Sequence, residues 1–488
     1  MMSASGGKLK EYLEEINRKQ DKIRGLSDRI WECPETAFGE FQSEAALIDF
    51  FKSEGFVVKE RAYGVDTAFT AEYGSGSPRI GVLGEFDALS GLSQTAGVTQ
   101  KQAAVFGARG HGCGHNLLGA GSAAAALAVK KYLEDGHEGT VIFYGCPGEE
   151  GGSGKAFMAR GGAFKDLDAA LTWHPSTVNQ VCKDSSLANF QILYRFHGIS
   201  AHAAGCPEMG RSALDALELM NIGCNFLREH MMDAARVHYA ITDTGGYSPN
   251  VVQDRAKAIY LIRSPKAAQA YELMERVHKI ARGAALMTET TEEHEFIKSC
   301  ANLVSNRVLE KVLYQAMKEV GVPRYTEEEY KLAAEYTATV PGGGAASYGK
   351  LIEDHMIPEN VKYLKDRKNS RLYDFIVPYE EIHQVSSAGG STDVGDVSWM
   401  CPTAQIYTAT WAPGTPGHSW QVVAQGKSST AHKGMLFAGK TIALAAMTLM
   451  EDPKLLAEAR RLFEEEFEGQ TYIPIPDGVK PRALDQIR

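Results

Sequence analysis

The spacing of apolar residues near the start of the chain predicts an amphipathic helix. The apolar positions recur at helical spacing and share one face: Leu9, Tyr12, Leu13, Ile16, Ile23, Leu26 and Ile30. Pro34 is expected to end this helix, because proline cannot continue the hydrogen-bond ladder. A second helix is predicted around residues 44–53.

Four short apolar runs predict buried strands, and polar side chains follow each of them. The runs cover residues 79–83, 140–146, 169–173 and 404–410, and they lead to Asp87, to Glu149 and Glu150, to His174, and to His418. Strands that alternate with helices, such as the helix expected after Asn116, form α/β sheets, which bind ligands beyond the carboxyl ends of their strands. We therefore predict an α/β fold whose central mixed, mostly parallel sheet carries helices on both faces.

A different pattern begins near residue 187. Strands are predicted at residues 189–196, 237–242 and 258–263, with helices at 211–232 and 267–286. This pattern indicates an inserted α+β domain, so we divide the chain into residues 1–187, 188–300 and 301–488, with the first and third parts forming one domain.

Two segments of the third part lack a clear period. Residues 326–383 are charged and contain Pro341-Gly342-Gly343-Gly344, which indicates an excursion of loops and helices. The Pro-containing tail, residues 472–488, is predicted to be irregular.

The composition is ordinary for a globular protein, with 44% hydrophobic and 23% charged residues among 488. The formal net charge of -10 argues against a nucleic-acid partner, because such domains concentrate lysine and arginine. No membrane span is expected, since the longest apolar run, residues 117–129, is shorter than the roughly 20 residues that cross a bilayer. We see no signal-peptide core and no disulfide framework among the eight cysteines. A cytoplasmic protein with a small-molecule substrate is expected.

The segment Gly110-His111-Gly112-Cys113-Gly114-His115-Asn116 concentrates a thiol and two imidazoles among glycines that permit unusual backbone angles. Thiolate and imidazole groups are ligands of transition metals. A glycine-rich turn before a helix, with a buried cysteine, explains the same segment without a metal. The segment alone leaves both interpretations open.

Three further features could join it. Glu149 and Glu150 are adjacent carboxylates that point in different directions, so one can bind metal while the other moves protons; the alternative is a solvated acidic turn. His174 and His418 are each unremarkable singly, since a lone histidine is more often a satisfied core residue than a ligand. The case for metal rests on all of these features together.

The combined set offers thiolate, imidazole and carboxylate donors: Cys113, His115, Glu150, His174 and His418. Such a mixed set suits two divalent ions of the Zn or Mn type. Two ions can polarise an amide carbonyl and activate water for amide hydrolysis. Glu149 would then act as general base and general acid, and Asp87 would orient a ligand histidine.

Other catalytic motifs are incomplete in the sequence. Gly154-Lys155 resembles a phosphate loop but lacks the upstream glycine and a following serine or threonine. Gly119-Ala120-Gly121 lies inside a predicted helix rather than at a strand-to-helix turn. No G-x-S-x-G elbow of a serine hydrolase occurs.

Several stretches resemble the aminoacylase-like metallopeptidase family M20, in its amidohydrolase branch with a cysteine ligand. The resemblance covers nearly the whole chain and is carried by GEFDALSGLSQ, GHGCGHNLLG, YGCPGEEGGSGK, DAALTWHP, GRSALDA, ARVHYAIT, SPNVVQ, ALMTETT, STDVGDVSW and AHKGML. It implies a zinc-peptidase-like catalytic domain and makes residues 188–300 a lid domain that also dimerises. A homodimer or a heterodimer with a related subunit is therefore expected.

The resemblance also implies roles for individual residues. It makes five residues the ligands of two divalent ions, Mn or Zn: Cys113, His115, Glu150, His174 and His418. It makes Glu149 the catalytic base and Asp87 the supporting aspartate.

Three lid residues complete the implied site. His202 matches a lid histidine that reaches a partner's active site and stabilises the oxyanion there. Asn250 and Arg263 match residues that hold the substrate carboxylate, a task that suits a planar guanidinium.

Two positions depart from the family pattern. Glu85 stands where many relatives carry a ligand histidine, and Asn116 stands where relatives of the cysteine branch often carry aspartate. These departures leave the metal identity open, and His111 is an alternative ligand within its loop.

The activity implied by the resemblance is hydrolysis of an N-acyl amino acid, with p-aminobenzoyl-glutamate as the first candidate. Another N-acyl amino acid, such as an indole-acetyl-aspartate conjugate, is the rival substrate. A different hypothesis makes the chain an accessory subunit of a heteromeric hydrolase.

Overall fold

A computed structural model describes residues 8–381, 390–483 and 486 of the chain. Eleven strands lie in these residues: β1 (Val57–Lys59), β2 (Phe69–Ser75), β3 (Arg79–Glu85), β4 (Gly139–Cys146), β5 (Ala169–Ser176), β6 (Gln180–Cys182), β7 (Ala188–His197), β8 (Arg236–Asp243), β9 (Arg255–Ser264), β10 (Thr291–Cys300) and β11 (Thr403–Ala409).

The same residues contain α-helices that precede, follow or connect the strands. In chain order they are α1 (Glu14–Arg18), α2 (Gln20–Glu32), α3 (Phe41–Ser53), α4 (His115–Glu134), α5 (Glu149–Gly152), α6 (Gly154–Arg160), α7 (Ala213–Leu227), α8 (Ala267–Thr288), α9 (Arg307–Val320), α10 (Glu327–Ala338), α11 (Ala345–Glu353), α12 (Pro358–Lys365), α13 (Val394–Ser398), α14 (Trp420–Gln425), α15 (Ser429–Glu451) and α16 (Pro453–Glu466).

The central sheet has seven strands in the order β1-β2-β4-β3-β5-β11-β6. The four middle strands run parallel, while β1, β2 and β6 pair antiparallel at the two sides. Because β3, β4, β5 and β11 point the same way, their carboxyl ends share one edge. That edge carries the polar residues that follow β3, β4 and β11 in the sequence, and His174 lies near the end of β5.

Helices cover both faces of this sheet, as the sequence predicts. On one face, α4 and α15 pack so closely that a Cβ atom on Gly439 would lie 2.8 Å from the carbonyl oxygen of Gly121. Helix α15 has the length and hydropathy of a membrane-crossing helix, but 83% of its most apolar window is buried, as in a core helix. On the other face, α6 and α13 pack against residues of β3, β4 and β5.

The second sheet is antiparallel, with four strands in the order β10-β7-β9-β8. Helices α7 and α8 cover one face, and the apolar stripe of α7 is buried against it through Leu217, Met220 and Cys224. This core is separate from those of the central sheet. The insert is thus an α+β unit.

Several elements differ from the sequence predictions. The opening helix is broken at Lys19, where the backbone leaves helical angles, so α1 and α2 replace one continuous helix. Strand β10 escaped prediction because its first half, Thr291–Phe296 in the sequence TEEHEF, is charged and half-exposed at a sheet edge. The strands β1, β2 and β6 and the helix α9 also escaped prediction.

The two segments without a clear period behave as expected in their described parts. Helices α10, α11 and α12 form about half of the excursion, and its last two residues, 382–383, lie outside the described residues. Residues 472–483 contain neither helix nor strand.

Candidate metal centre

The glycine-rich segment ends at the first residue of helix α4. Gly114 precedes the helix with a φ of 78°, and a Cβ atom there would lie 2.8 Å from the Trp411 ring. Only glycine meets both requirements without strain or displacement. The turn therefore places Cys113 and His115 side by side at the carboxyl edge of the central sheet.

The structure brings all five predicted ligands together in two groups. The donor atoms of Cys113, His115 and His174 lie within 4.8 Å of one another, and so do those of Cys113, Glu150 and His418. Cys113 belongs to both groups. This arrangement is the one expected for two neighbouring ions that share a thiolate.

Hydrogen bonds orient the histidines so that Nε2 faces this centre. Nδ1 of His115 lies 2.8 Å from Asp87 Oδ1, and Nδ1 of His174 donates to the Pro175 carbonyl oxygen at 2.7 Å. With Nδ1 protonated in both rings, Nε2 keeps a lone pair for a metal. Nε2 of His418 lies 3.0 Å from Glu150 Oε1.

Unpaired buried atoms test whether a cation fits. Among the described residues, His115 Nε2, Glu150 Oε1 and Glu85 Oε2 are buried and form no well-oriented hydrogen bond, although Glu85 Oε2 lies 3.2 Å from His115 Nε2 and Glu150 Oε1 lies 3.0 Å from His418 Nε2. An unpaired buried polar atom is costly, and a bound cation would compensate all three. The donor set therefore fits divalent metal.

In the metal-free chain the electrostatics favour the protonated forms of two predicted ligands. Burial, followed by the charge of Glu150, raises the pKa of the Cys113 thiol well above its usual value. Burial opposes protonation of His115, but Cys113 and Asp87 outweigh it and raise the His115 pKa. A coordinated cation reverses this situation, because metal-bound thiols lose their proton.

Glu149 lies at the start of α5, outside the two groups that share Cys113. Its carboxylate is within 4.8 Å of donor atoms of Glu85 and His115. Burial, then the charges of Glu85 and Glu150, raise the pKa of Glu149 well above its usual value. A carboxylate in this environment holds a proton more readily than one in water, as general acid–base chemistry requires.

Asp87 contacts two of the predicted ligands. Its Oδ1 accepts a hydrogen bond from His115, and its Oδ2 accepts the backbone N–H of Glu150 at 2.9 Å. Asp87 is fully buried, so both contacts are shielded from water. Asp87 thus links the His115 ring to the backbone of Glu150.

Replacing Asp87 by alanine is expected to weaken metal binding by about 10- to 100-fold, because carboxylates that orient ligand histidines contribute that much. Asp87→Asn keeps one acceptor oxygen, so its metal affinity should lie between those of Asp87→Ala and the native chain. Titration of chelator-treated protein with Mn or Zn measures the effect. Asp168→Ala is the matched control, since Asp168 accepts the Arg79 backbone N–H at the opposite end of β3. Unchanged affinity in Asp87→Ala would contradict this role.

The three lid residues do not line the metal centre of their own chain. His202 and Asn250 lie together in exposed loops of the insert, where the Ala203 N–H donates to the Asn250 carbonyl oxygen. Nδ1 of His202 accepts the backbone N–H groups of Ala204 and Gly205, which leaves Nε2–H as the outward donor. Arg263 is half-buried and donates to Ser391 Oγ at 3.0 Å, and Ser391 lines the cavity beside the centre.

The other singled-out residues of the glycine-rich segment contact neighbouring segments of the chain. Nε2 of His111 faces the Ile30 carbonyl oxygen at 2.9 Å, and burial lowers the pKa of His111 to about 3. His111 is in none of the ligand groups found among the described residues. Asn116 donates to Ser27 Oγ and to the Gly426 carbonyl oxygen, so it ties α4 to neighbouring segments.

Sequence patterns missed two buried residues beside the centre. Lys155 on α6 and Asp393 before α13 contact each other, and Lys155 also contacts Glu85. Lys155 is visible in the sequence only as part of an incomplete phosphate-loop motif. Its place among the apolar residues Ala156, Phe157 and Met158 is the one local sign of burial.

Comparison with known proteins agrees with this fold and site. Residues 83–481 match the model of peptidase family M20/M25/M40. The chain belongs to this family and is a metal-dependent amidohydrolase. The family prediction made from the sequence is confirmed.

Two individual relatives are similar to the chain over more than nine tenths of its length. The chain is 47% identical to a subunit of the p-aminobenzoyl-glutamate hydrolase of Escherichia coli, over 96% of this chain and 98% of that protein. It is 28% identical to the Xaa-Arg dipeptidase of Mus musculus, over 92% of this chain and 91% of the relative.

Solved structures share the fold at low sequence identity. An aminobenzoyl-glutamate utilization protein from Klebsiella pneumoniae has a TM-score of 0.60 at 17% identity, covering 90% of this chain and 98% of its own. A dinuclear metal-binding M20 peptidase from Bacillus subtilis has a TM-score of 0.53 at 15% identity, covering 89% and 99%. At these identities, the likeness supports the fold alone.

Proposed function

We propose that the chain hydrolyses the amide bond of p-aminobenzoyl-glutamate and releases p-aminobenzoate and glutamate. The observation that carries this proposal is the 47% identity, over nearly the full length of both chains, to a protein named for that hydrolysis. The convergence of five metal donors around Cys113 supports it, because an accessory chain has no need of an intact centre.

We assign the chemical roles as follows. Two divalent ions, Mn or Zn, would be held by the two groups that share Cys113 and would supply Lewis-acid polarisation of the amide carbonyl. Glu149 would take a proton from the attacking water and deliver it to the leaving amine nitrogen. Asp87 would keep His115 in the tautomer that offers Nε2.

A cavity of about 430 Å³ adjoins the centre and offers room for the substrate. Its lining includes Cys113, Glu149 and His418 of the centre, together with Gln405 on β11 and Leu351 on α11. Cavities that bind small molecules have volumes of about 300–1,000 Å³. The excursion thus contributes a wall, through the C-terminal end of α11, to the space in which we place the acyl amino acid.

The lid, residues 188–300, is proposed to dimerise and to bring His202 to the centre of a partner chain. Exposed apolar side chains on α7 and on the edge strand β8 support a contact there: Ile222, Phe226, Tyr239 and Ile241. Asn250 and Arg263 would hold the substrate carboxylate. The partner is a second copy or a related subunit, and free thiols at all eight cysteines suit the cytoplasmic location that we propose.

Turnover of a substrate panel by the purified chain tests the proposal. With Mn or Zn added, we expect p-aminobenzoyl-glutamate to have a kcat/KM at least about tenfold above that of indole-acetyl-aspartate or a dipeptide ending in arginine. A tenfold ratio corresponds to about 1.4 kcal/mol of transition-state discrimination. Faster turnover of either competitor would overturn the named substrate while leaving the amidohydrolase class intact.

An assay of the same preparation distinguishes the hypothesis of an enzyme from that of an accessory subunit. The accessory hypothesis has its basis in the Escherichia coli relative, which is named as one subunit of its hydrolase. Activity of the chain alone supports catalysis, whereas activity that appears only after a second subunit is added favours the accessory role. Light scattering on the sample should give twice the monomer mass of 53.1 kDa, and a monomeric active chain would contradict the proposed dimer.

A further inference from the structure

A buried cluster of three charged residues lies directly behind the metal centre. Lys155 Nζ is 2.5 Å from Glu85 Oε1 and 2.6 Å from Asp393 Oδ1. The backbone N–H of Lys155 also donates to Asp393 Oδ2 at 2.8 Å. All three residues are almost fully excluded from solvent, with relative exposures of 0–2%.

The charges in this cluster do not balance. Asp393 is held by both the ammonium and the backbone N–H of Lys155, so it neutralises the lysine without help. Glu85 adds a second carboxylate, and the cluster carries one net negative charge inside the protein. A buried charge without compensation is expensive. A neutral side chain at position 85 would satisfy a purely structural ion pair better.

The second carboxylate oxygen of Glu85, Oε2, shows where a compensating positive charge would lie. Oε2 is buried, has no hydrogen-bond partner among the described residues, and lies 3.2 Å from Nε2 of His115. That His115 atom makes no well-oriented hydrogen bond either, while Nδ1 of the same ring lies 2.8 Å from Asp87 Oδ1. In the metal-free chain a protonated His115 would balance the surplus charge as an ion pair with Glu85, and a metal ion held by the same two atoms would balance it instead.

The spacing of the two atoms is that of neighbouring ligands. Two metal–ligand bonds of about 2.1 Å at 90–109° place their donor atoms about 3.0–3.4 Å apart. The pairs formed by the predicted ligands have similar spacings, 3.3 Å between Cys113 Sγ and His174 Nε2 and 3.0 Å between Glu150 Oε1 and His418 Nε2. Glu85, His115 and Glu149 also form a third group of donors within 4.8 Å.

We propose that Glu85 is a sixth donor of the metal centre, and that Lys155 and Asp393 are positioning residues that hold its Oε1 so that Oε2 faces the ion bound by His115. This inference extends the set of five ligands. It rests on the proposed metal binding but not on the identity of the substrate.

Metal titration of the full chain tests the proposal without any assay of hydrolysis. Glu85→Gln removes the charge and keeps the shape, and it is expected to weaken binding of one of the two ions by about tenfold or more, by analogy with groups that support ligands. The loss should be larger for Mn than for Zn, because carboxylate is a hard ligand that suits Mn. Lys155→Met should weaken the same ion.

Asp396→Asn is the matched control, because Asp396 is equally buried on α13 but bonds to Tyr472 and to the Ala301 backbone N–H. It should bind both ions as the native chain does. Equal affinities in Glu85→Gln and the native chain would overturn the proposal.

A crystal structure of the metal-loaded native chain decides the matter even if the variants do not fold. Glu85 Oε2 is expected about 2.0–2.2 Å from the ion that His115 binds. A separation beyond about 3 Å would refute the assignment. Because neither readout involves turnover, failure on p-aminobenzoyl-glutamate would leave this inference standing, and the reverse also holds.

Discussion

Replacing Glu149 by glutamine is expected to lower kcat by about 100- to 10,000-fold, the range that general acid–base catalysis contributes. Glutamine keeps the shape of the side chain but cannot take a proton from water or return one to the leaving nitrogen. Both ions should stay bound, since Glu149 lies outside the two groups that share Cys113. Steady-state kinetics and metal analysis of the same sample measure the two effects.

The control for this variant is Glu44→Gln. Glu44 is a buried carboxylate on α3 whose pKa burial raises to about 7, and it belongs to none of the donor groups found among the described residues. It should keep near-native kcat. If Glu149→Gln turned over substrate at the native rate with both ions bound, Glu149 would have no part in proton transfer.

Replacing Cys113 by serine is expected to remove both ions rather than one. Cys113 offers a donor atom to the group with His115 and His174 and also to the group with Glu150 and His418. A serine hydroxyl is a poor substitute, since it does not ionise as a thiol does near a metal. Elemental analysis should find fewer than one ion per chain. Activity should fall by more than about a hundredfold, because even residues behind the ligands contribute 10- to 100-fold.

Cys401→Ser is the corresponding control for a buried cysteine. Among the described residues, Cys401 Sγ has two hydrogen-bonding contacts, with the Val397 carbonyl oxygen and with Thr403 Oγ1. Metal content should be native in this variant. If Cys113→Ser kept two ions and full activity, the thiolate-sharing centre would be wrong.

Much of the fold could be predicted from local pattern. The strands that carry the site are short apolar runs, and the predicted limits for β4 and β11 differ by one residue from the observed ones. Strands β1, β2, β6 and β10 could not be predicted in this way, because they lie toward the sides of sheets where polar and apolar residues mix. Their places depend on pairing with strands that are distant in sequence.

The donor residues of the candidate centre could also be recognised from the sequence. Cys113, Glu150, His174 and His418 each follow or end a strand or precede a helix, in motifs that carry the family resemblance. The ends of parallel strands must meet at one edge, so their convergence follows from topology. The lid residues are a different case, since His202 and Asn250 lie outside the cavity of their own chain.

The sequence by itself thus determined the family and the α/β sheet and predicted the five candidate donors, because each depends on residue type and short-range spacing. Only the tertiary structure decided that Cys113 belongs to two ligand groups and that Lys155 joins Glu85 to Asp393 across separations of 70 and 238 residues. Short-range periodicity reports which residues are buried. It does not report which buried charged residues contact each other, and the surplus negative charge at Glu85 arises from the contacts that Lys155 makes with both Glu85 and Asp393.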